Sequence, residues 1–324
     1  MADSLRDWVR DKGYLMACAD PGVLTSVRAE LAERRRAGEL AEDFYRANLD
    51  QFSYGTDAAL PEIRTLIVLA IPRPAHRLVF ELEDGQLAAI IPPTYVFYRR
   101  TAEKLRDELA PNLPAGSSAA LLNAPLKAIA ARLGLVRYGR NNITYAPGLG
   151  SYHQLVGILT DADLAPLSGT AMNSYPLMPE CDNCQACLKA CPAGAIRRDR
   201  ILLDAERCLT LLNENAGPWP AWLPASVHHC LVGCLACQSV CPANRDLFRY
   251  EEITPGFSAA ETARILAGPA GEDDPAWRGI RAKLAGIGLF GYEDTLARNL
   301  GALIANRGEP GPFGLPAPHD AGLP

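Results

Sequence analysis

The sequence predicts an α+β protein: a mixed α/β domain, then a small cysteine-ligated module, then a short helical unit. Three observations carry that reading. Helical spacings and β-rich apolar runs mix over the first 165 residues; nine of the ten cysteines fall between Cys181 and Cys241; and helical spacing resumes after Ser258. With 324 residues, 48% of them hydrophobic, the chain can bury a large core.

The elements follow in chain order. Residues 8–14 close a short N-terminal helix, and 23–36 and 39–49 keep helical spacing with few breakers. TLIVLAI at 65–71 is an unbroken apolar run, which predicts a buried strand ended by Pro72 and Pro74. Asp84-Gly85 between the runs 77–82 and 87–91 is a hairpin signal. Helices are expected over 95–109 and over 118–133, the second broken at Pro125 and ended by Gly134. Strands are expected at 142–146 and 154–160, and a loop over 164–179. Ser258-Ala-Ala-Glu261 reads as a capping box opening a helix, with helical segments at 276–287 and 292–306. Nine of the last seventeen residues are Gly or Pro, which predicts a disordered tail over 308–324. The chain thus divides into 1–165 (an α/β cofactor and substrate domain), 166–250 (the cysteine module), 251–307 (a short helical unit) and that tail.

Composition excludes some functions. No run of eighteen apolar residues occurs and the N-terminus lacks a secretory layout, so no membrane association and a cytoplasmic location are expected. The net charge of −5 and pI near 5.6 lack the basic footprint of nucleic-acid binding.

Disulfides are rare in a reducing compartment, so clustered cysteines there point to metal or redox chemistry. The first motif is Cys181-x2-Cys184-x2-Cys187-x3-Cys191-Pro192, and the second is Cys234-x2-Cys237-x3-Cys241-Pro242, with Cys208 between them. The first spacing is that of bacterial ferredoxins, in which the fourth cysteine crosses to the other of two [4Fe–4S] clusters. Three thiolates at three-residue steps wrap one cubane, and the fourth, beyond a longer step, is carried to the next. The expected partition is Cys181, Cys184, Cys187 and Cys241 on cluster 1, with Cys191, Cys208, Cys234 and Cys237 on cluster 2. The alternative is a pair of structural zinc sites, which do not call for the repeated x3-Cys-Pro step. Cys230 and Cys18 are expected to be buried, inert thiols.

Several stretches share one resemblance. They are Gly233-Cys234-Leu-Ala-Cys237-Gln238-Ser-Val240-Cys241-Pro242-Ala-Asn244-Arg245, the Leu203-Asp204 to Cys208 segment, Gly139-Arg140-Asn141, Gly150-Ser151, Gly157 to Asp161, and Arg298-Asn299. Together they resemble the epoxyqueuosine reductase family, cobalamin-dependent enzymes of tRNA modification, over about residues 60 to 305. Reductive dehalogenases share the broad plan. The resemblance implies a nitroreductase-like α/β domain that binds a corrinoid, followed by a ferredoxin-like double [4Fe–4S] domain. The clusters would pass single electrons to a bound cobalamin, and a nearby acid would supply the proton.

The resemblance also implies site residues. Gly139, Arg140, Asn141, Gly150, Ser151 and His153 are the cofactor-binding candidates; glycine-rich backbone admits close approach of a large ligand. His153 stands where the family has a bulky apolar residue. It is either an axial ligand or a strand histidine satisfied by hydrogen bonds. The family's acid, an aspartate, aligns within Tyr98-Arg99-Arg100-Thr101-Ala102, where no carboxylate stands. Tyr98, Tyr95 and Arg100 are therefore the catalytic candidates, with Tyr138 a further phenol and with phenol pKa values lowered by Arg99 or Arg100. Lys127 replaces a family glutamate, and the C-terminal helices are few. The leading expectation is an iron–sulfur reductase of a small-molecule or nucleoside substrate, fed by an external low-potential donor such as ferredoxin or flavodoxin, with tRNA disfavoured. The alternatives are an electron-transfer or corrinoid-activating protein, and epoxyqueuosine reduction on tRNA.

Overall fold

The computed structural model describes residues 2–60, 62–165, 169–172, 174–269, 271 and 274–307. The tail expected to be disordered, and part of the 164–179 loop, lie outside them. The elements are α1 (Ala2–Asp11), β1 (Leu15–Ala19), α2 (Gly22–Arg36), α3 (Glu42–Asn48), β2 (Gly55–Thr56), β3 (Thr65–Pro72), β4 (Ala75–Leu82), β5 (Gly85–Ile91), α4 (Tyr98–Leu109), β6 (Ala119–Asn123), α5 (Leu126–Arg132), β7 (Arg137–Tyr138), β8 (Thr144–Tyr145) and β9 (His153–Thr160). There follow α6 (Ala186–Ala190), α7 (Leu209–Glu214), α8 (Ala236–Ser239), β10 (Tyr250–Phe257), α9 (Ala259–Ala267), α10 (Arg278–Ile287) and α11 (Glu293–Ala305). The chain forms two compact units. One comprises 1–73, 98–184 and 199–202, and the other 74–97, 185–198 and 203 onward.

The first unit is built on a sheet of order β1-β3-β9-β6-β2, antiparallel throughout. Side chains alternate across a strand, so β3 serves two cores. Leu66, Val68 and Ala70 pack with Val23, Leu24 and Val27 of α2 and with Ala128 to Ala131 of α5. Ile67, Leu69 and Ile71 face Leu5 and Val9 of α1 and Ala102, Leu105 and Leu109 of α4. Helices on both faces are why 66–71 is apolar at every position.

The helix expected over 118–133 is half strand. Pro125 divides it: 119–123 pairs with β9, and α5 begins only beyond the proline. Ala119-Ala-Leu-Leu-Asn123 has no decisive periodicity of its own, so sheet pairing decides it. Leu15–Ala19, which joins the same sheet beside β3, had no strand signal in its polar flanks.

In the second unit β4 and β5 form the expected hairpin through Asp84-Gly85. β10 adds to β4 in parallel and was not foreseen, because Glu251 and Glu252 face outward and mask the alternation. Trp277, fully buried, centres a core of Phe80, Phe257, Ile280, Leu284, Leu296 and Leu300. The Ser258 capping box is present: the hydroxyl accepts from Glu261 N–H and the Glu261 carboxylate accepts from Ser258 N–H.

One buried ion cluster makes the first unit acid-sensitive. Arg132, 6% exposed, reaches Glu30, which also accepts from Arg34 (2.8 Å) and Tyr175 (2.6 Å). Burial alone raises the Glu30 pKa; the bonds from Tyr175, Arg34 and Arg132 outweigh it, and the net shift is downward. A carboxyl depressed by folding stabilises above its unfolded pKa, and that stability is lost as pH falls through the folded pKa. Urea midpoints are therefore expected to drop below about pH 4, the unfolded glutamate value. Glu30→Gln is expected to be less stable at pH 7 and to lose less on acidification; an equal loss in both proteins would refute this.

Candidate iron–sulfur and cofactor sites

The two cysteine motifs are carried on short helices that pack on each other, α6 with Cys187 and α8 with Cys237. Cys191 ends α6 and Cys208 opens α7. Cys181 and Cys184 fall in the first contact unit and the other six ligand candidates in the second.

Four of those six are electrostatically linked, Cys208 to Cys191 and Cys234 to both Cys237 and Cys208, and Cys234 is linked to Cys230 as well. These are the four expected on cluster 2. Burial, then the neighbouring thiols, pushes Cys234 well above the ordinary thiol value. Cys208 is raised by burial, against opposing hydrogen bonds from Thr210 and Leu211. Buried thiols that resist joint ionisation release their protons when a cationic core binds. Backbone amides already point at sulfur: Ala195 N–H donates to Cys191 Sγ (3.3 Å) and Ala236 N–H to Cys234 Sγ (3.4 Å). Thiolate donors with such amide support suit an iron–sulfur cubane, whose potential depends on those bonds. Cys230 is 1% exposed and raised by burial, and Cys18 is pushed up to about 12 by burial.

His229 is a contributor that motif reading missed. Its Nδ1 donates to the Val227 carbonyl (2.9 Å), while Nε2 accepts Leu235 N–H (3.0 Å) and lies 3.7 Å from Cys234 Sγ. It thereby shapes the turn that carries Cys234. Only the His-His pair ahead of the motif hinted at this.

The C-terminal helix holds the same region. Asn299, 1% exposed, donates through Nδ2 to the carbonyls of Asn213 and Leu231, both at 2.8 Å. Arg298 reaches the Leu212 carbonyl (2.9 Å) and that of Gly217. Asn299→Ala is expected to destabilise the protein by about 2–4 kcal/mol, because two buried carbonyls lose their donor. Chemical denaturation measures it; a change under about 0.5 kcal/mol, the usual size for a surface substitution, would show that the clamp is dispensable.

The expected cofactor segment folds on itself in the first unit. Gly139 N–H donates to the Ile143 carbonyl (2.8 Å), and the Asn141 amide donates to the Tyr145 hydroxyl (3.0 Å). A Cβ on Gly139 would stand 2.6 Å from both Asn141 Oδ1 and the Tyr145 ring, so the close approach is to the chain's own side chains. Arg140 donates to the Cys181 carbonyl (3.1 Å). Ser151 is buried. His153 Nδ1 donates to the Gly150 carbonyl (3.0 Å), which leaves Nε2 to accept from the Thr144 hydroxyl (3.3 Å). Burial lowers its pKa to about 4 against the Gly150 bond, so it is neutral. The axial-ligand expectation is corrected here: both ring nitrogens are engaged. The neighbouring Gln154 instead buries an oxygen, Oε1, with no hydrogen-bond partner among the described residues, while Nε2 donates to the Tyr98 carbonyl (3.0 Å).

The catalytic candidates separate. Tyr98 is 41% exposed, with its hydroxyl turned inward to 3.5 Å from the Leu155 carbonyl, on the strand that carries His153. Tyr95 lies in the second unit, where it donates to Glu214 and fills the space beside Gly233, whose φ is +65°. Arg100 is exposed on α4. The expected lowering of the phenol pKa values is corrected: burial raises Tyr98, Tyr138 and, most strongly, Tyr95. Arg99 is occupied with Glu103 at 2.8 Å. The Glu214 carboxyl, raised by burial against its bond from Tyr95, carried no sequence signal.

Comparison with known proteins agrees with this arrangement. Residues 180–244 match the family described as a 4Fe-4S double cluster binding domain. A Pseudomonas aeruginosa epoxyqueuosine reductase is 28% identical over 95% of this chain and 81% of its own length. The chain is thus similar to epoxyqueuosine reductases along most of its length. The matched domain carries two [4Fe–4S] clusters. A Bacillus subtilis epoxyqueuosine reductase is 31% identical over 40% of this chain, a match spanning 32% of that protein. The solved epoxyqueuosine reductase of Streptococcus thermophilus shares the fold at a TM-score of 0.63, with 19% identity, over 94% of this chain and 80% of that one. Another solved epoxyqueuosine reductase, at TM-score 0.58 and 19% identity over 97% of this chain and 82% of that one, holds an epoxyqueuosine-modified tyrosine tRNA stem loop.

That last structure overturns the expectation of a small-molecule substrate with tRNA disfavoured. Global charge is a poor guide to such a substrate, since a local surface suffices to bind RNA. Among the described residues no helix is long and apolar enough to cross a membrane.

Proposed function

We propose that this protein reduces epoxyqueuosine in tRNA. The reading is carried by the Pseudomonas aeruginosa match, which extends over 95% of the chain and so reaches far beyond the cysteine motifs. Removing an epoxide oxygen as water takes two electrons and two protons. Cys181, Cys184, Cys187 and Cys241 would hold one cluster, and Cys191, Cys208, Cys234 and Cys237 the other, as the spacing requires. The clusters suit one-electron delivery.

The same kinship implies a cobalamin, and the layout we assign is nitroreductase-like for the α/β part and ferredoxin-like for the cysteine module. Gln154 Oε1, buried without a partner, supports a polar ligand at the 139–154 segment, because an orphaned buried acceptor is unfavourable unless something donates to it. A corrinoid's amide side chains are such donors. When bound, the corrinoid supplies a strongly reducing cobalt centre. Tyr98 is our proton donor: its raised pKa keeps it protonated at neutral pH, and the alkoxide left by an opened epoxide is the stronger base.

The test is nucleoside analysis of tRNA from a queuosine-deficient strain that expresses this chain. Queuosine is expected to appear, and persistence of epoxyqueuosine alone would refute the reading.

A further inference from the structure

The segment between the cysteine motifs carries two tryptophans, each facing an arginine. Trp219 is packed inward: its ring stacks on His228 at 3.4 Å and 20°, with the Arg298 guanidinium 4.7 Å from its centroid. Trp222 is 46% exposed, with the Arg207 guanidinium 4.6 Å from its centroid.

We propose that the Trp222–Arg207 pair is a stacking platform for an unpaired nucleotide of the RNA substrate. This rests on the reading of tRNA as the substrate. Arg207 lies over the Trp222 ring, which keeps 46% of its surface open to a further stacked plane. An aromatic plane with a guanidinium alongside fits a nucleobase, which stacks on either, and its phosphate answers the positive charge.

The charge is available. Arg207 has no carboxylate partner among the described residues, whereas nearby Arg197 pairs with Asp204 at 3.4 Å. The platform is also rigid. Arg207 Nε donates to the Ala193 carbonyl (3.0 Å), Leu223 is 6% exposed, and Gly217 is held by Arg298. Pro218, Pro220 and Pro224 restrict the remaining backbone. Ordering a preformed stack on binding therefore loses little entropy. Because Arg207 immediately precedes Cys208, a base seated here would lie beside cluster 2.

The experiment measures binding of an epoxyqueuosine-modified tRNA stem loop to anaerobically reconstituted protein by fluorescence anisotropy. Wild type, Trp222→Ala and Trp222→Phe are compared, with iron content and circular dichroism recorded for each. Trp222→Ala is expected to weaken binding roughly 5- to 100-fold, the range of one base–aromatic stack. Trp222→Phe, which keeps a flat face, is expected to stay within about 5-fold, at the weak end of that range. Both variants are expected to keep their iron and their spectra. If wild type binds and turns over but Trp222→Ala binds equally well, the platform is wrong and the tRNA function stands. If Trp222→Ala binds RNA normally and instead slows reduction by a redox protein, the surface belongs to a protein donor and the proposal is overturned. If wild type binds no stem loop, both readings fall together.

Discussion

Cys208→Ala is expected to leave the protein with roughly half its iron, as one of two cubanes is lost. Cys208 and Cys230 both lie between the motifs, and only Cys208 is in the assigned ligand sets. It is electrostatically linked to Cys191 and Cys234, two of the thiols proposed for cluster 2. Three remaining thiolates leave one iron without a protein ligand and open the cluster to solvent. Iron and sulfide analysis with electron paramagnetic resonance would show one cluster signal surviving. Cys230→Ala is the control: that thiol is fully enclosed and outside the assigned ligand sets, so iron content is expected to stay whole. Full iron in the Cys208 variant would end the assignment, and loss of iron in the Cys230 variant would require redrawing it.

For Tyr98→Phe the expected result is a fall in kcat of about 10²–10⁴, the usual contribution of a positioned acid. The substitution removes only the hydroxyl. Gln154 donates to the Tyr98 carbonyl, which survives, and the hydroxyl's own bond to Leu155 is long at 3.5 Å. Stability and RNA affinity are therefore expected to change little, which separates a chemical role from a structural one. Since burial raises the phenol pKa, the donor stays protonated across neutral pH and its ionisation imposes no alkaline fall in rate below about pH 10, the ordinary tyrosine value. An unchanged kcat would remove Tyr98 from the mechanism. Activity is the only readout that the proposed role should move.

Much of this was legible beforehand. The double-cluster module at 180–244 was legible because thiolate spacing is a local code, set by the reach of a cubane. The strand at 65–71 was legible because helices on both faces demand apolar residues from 66 to 71. The capping box at Ser258 and the hairpin at Asp84-Gly85 were legible because both are made by neighbours in the chain.

Other features depend on partners far away in sequence. Residues 119–123 became a strand because β9 and β2 offered pairing on both sides, and 250–257 because β4 offered an edge. His153 is neutral because burial disfavours the charged ring, against its bond to Gly150, and the phenols rise where arginine neighbours in sequence suggested a fall. The expectation about partners was overturned by the tRNA-bound neighbour, since an acidic total charge says nothing of local surfaces.

By itself, then, the amino-acid order determined the ligand chemistry and the elements whose contacts are local, because those need only residue type and spacing. Tertiary structure alone decided burial, hydrogen-bond partners and protonation, because these depend on which distant segments exclude water from a side chain.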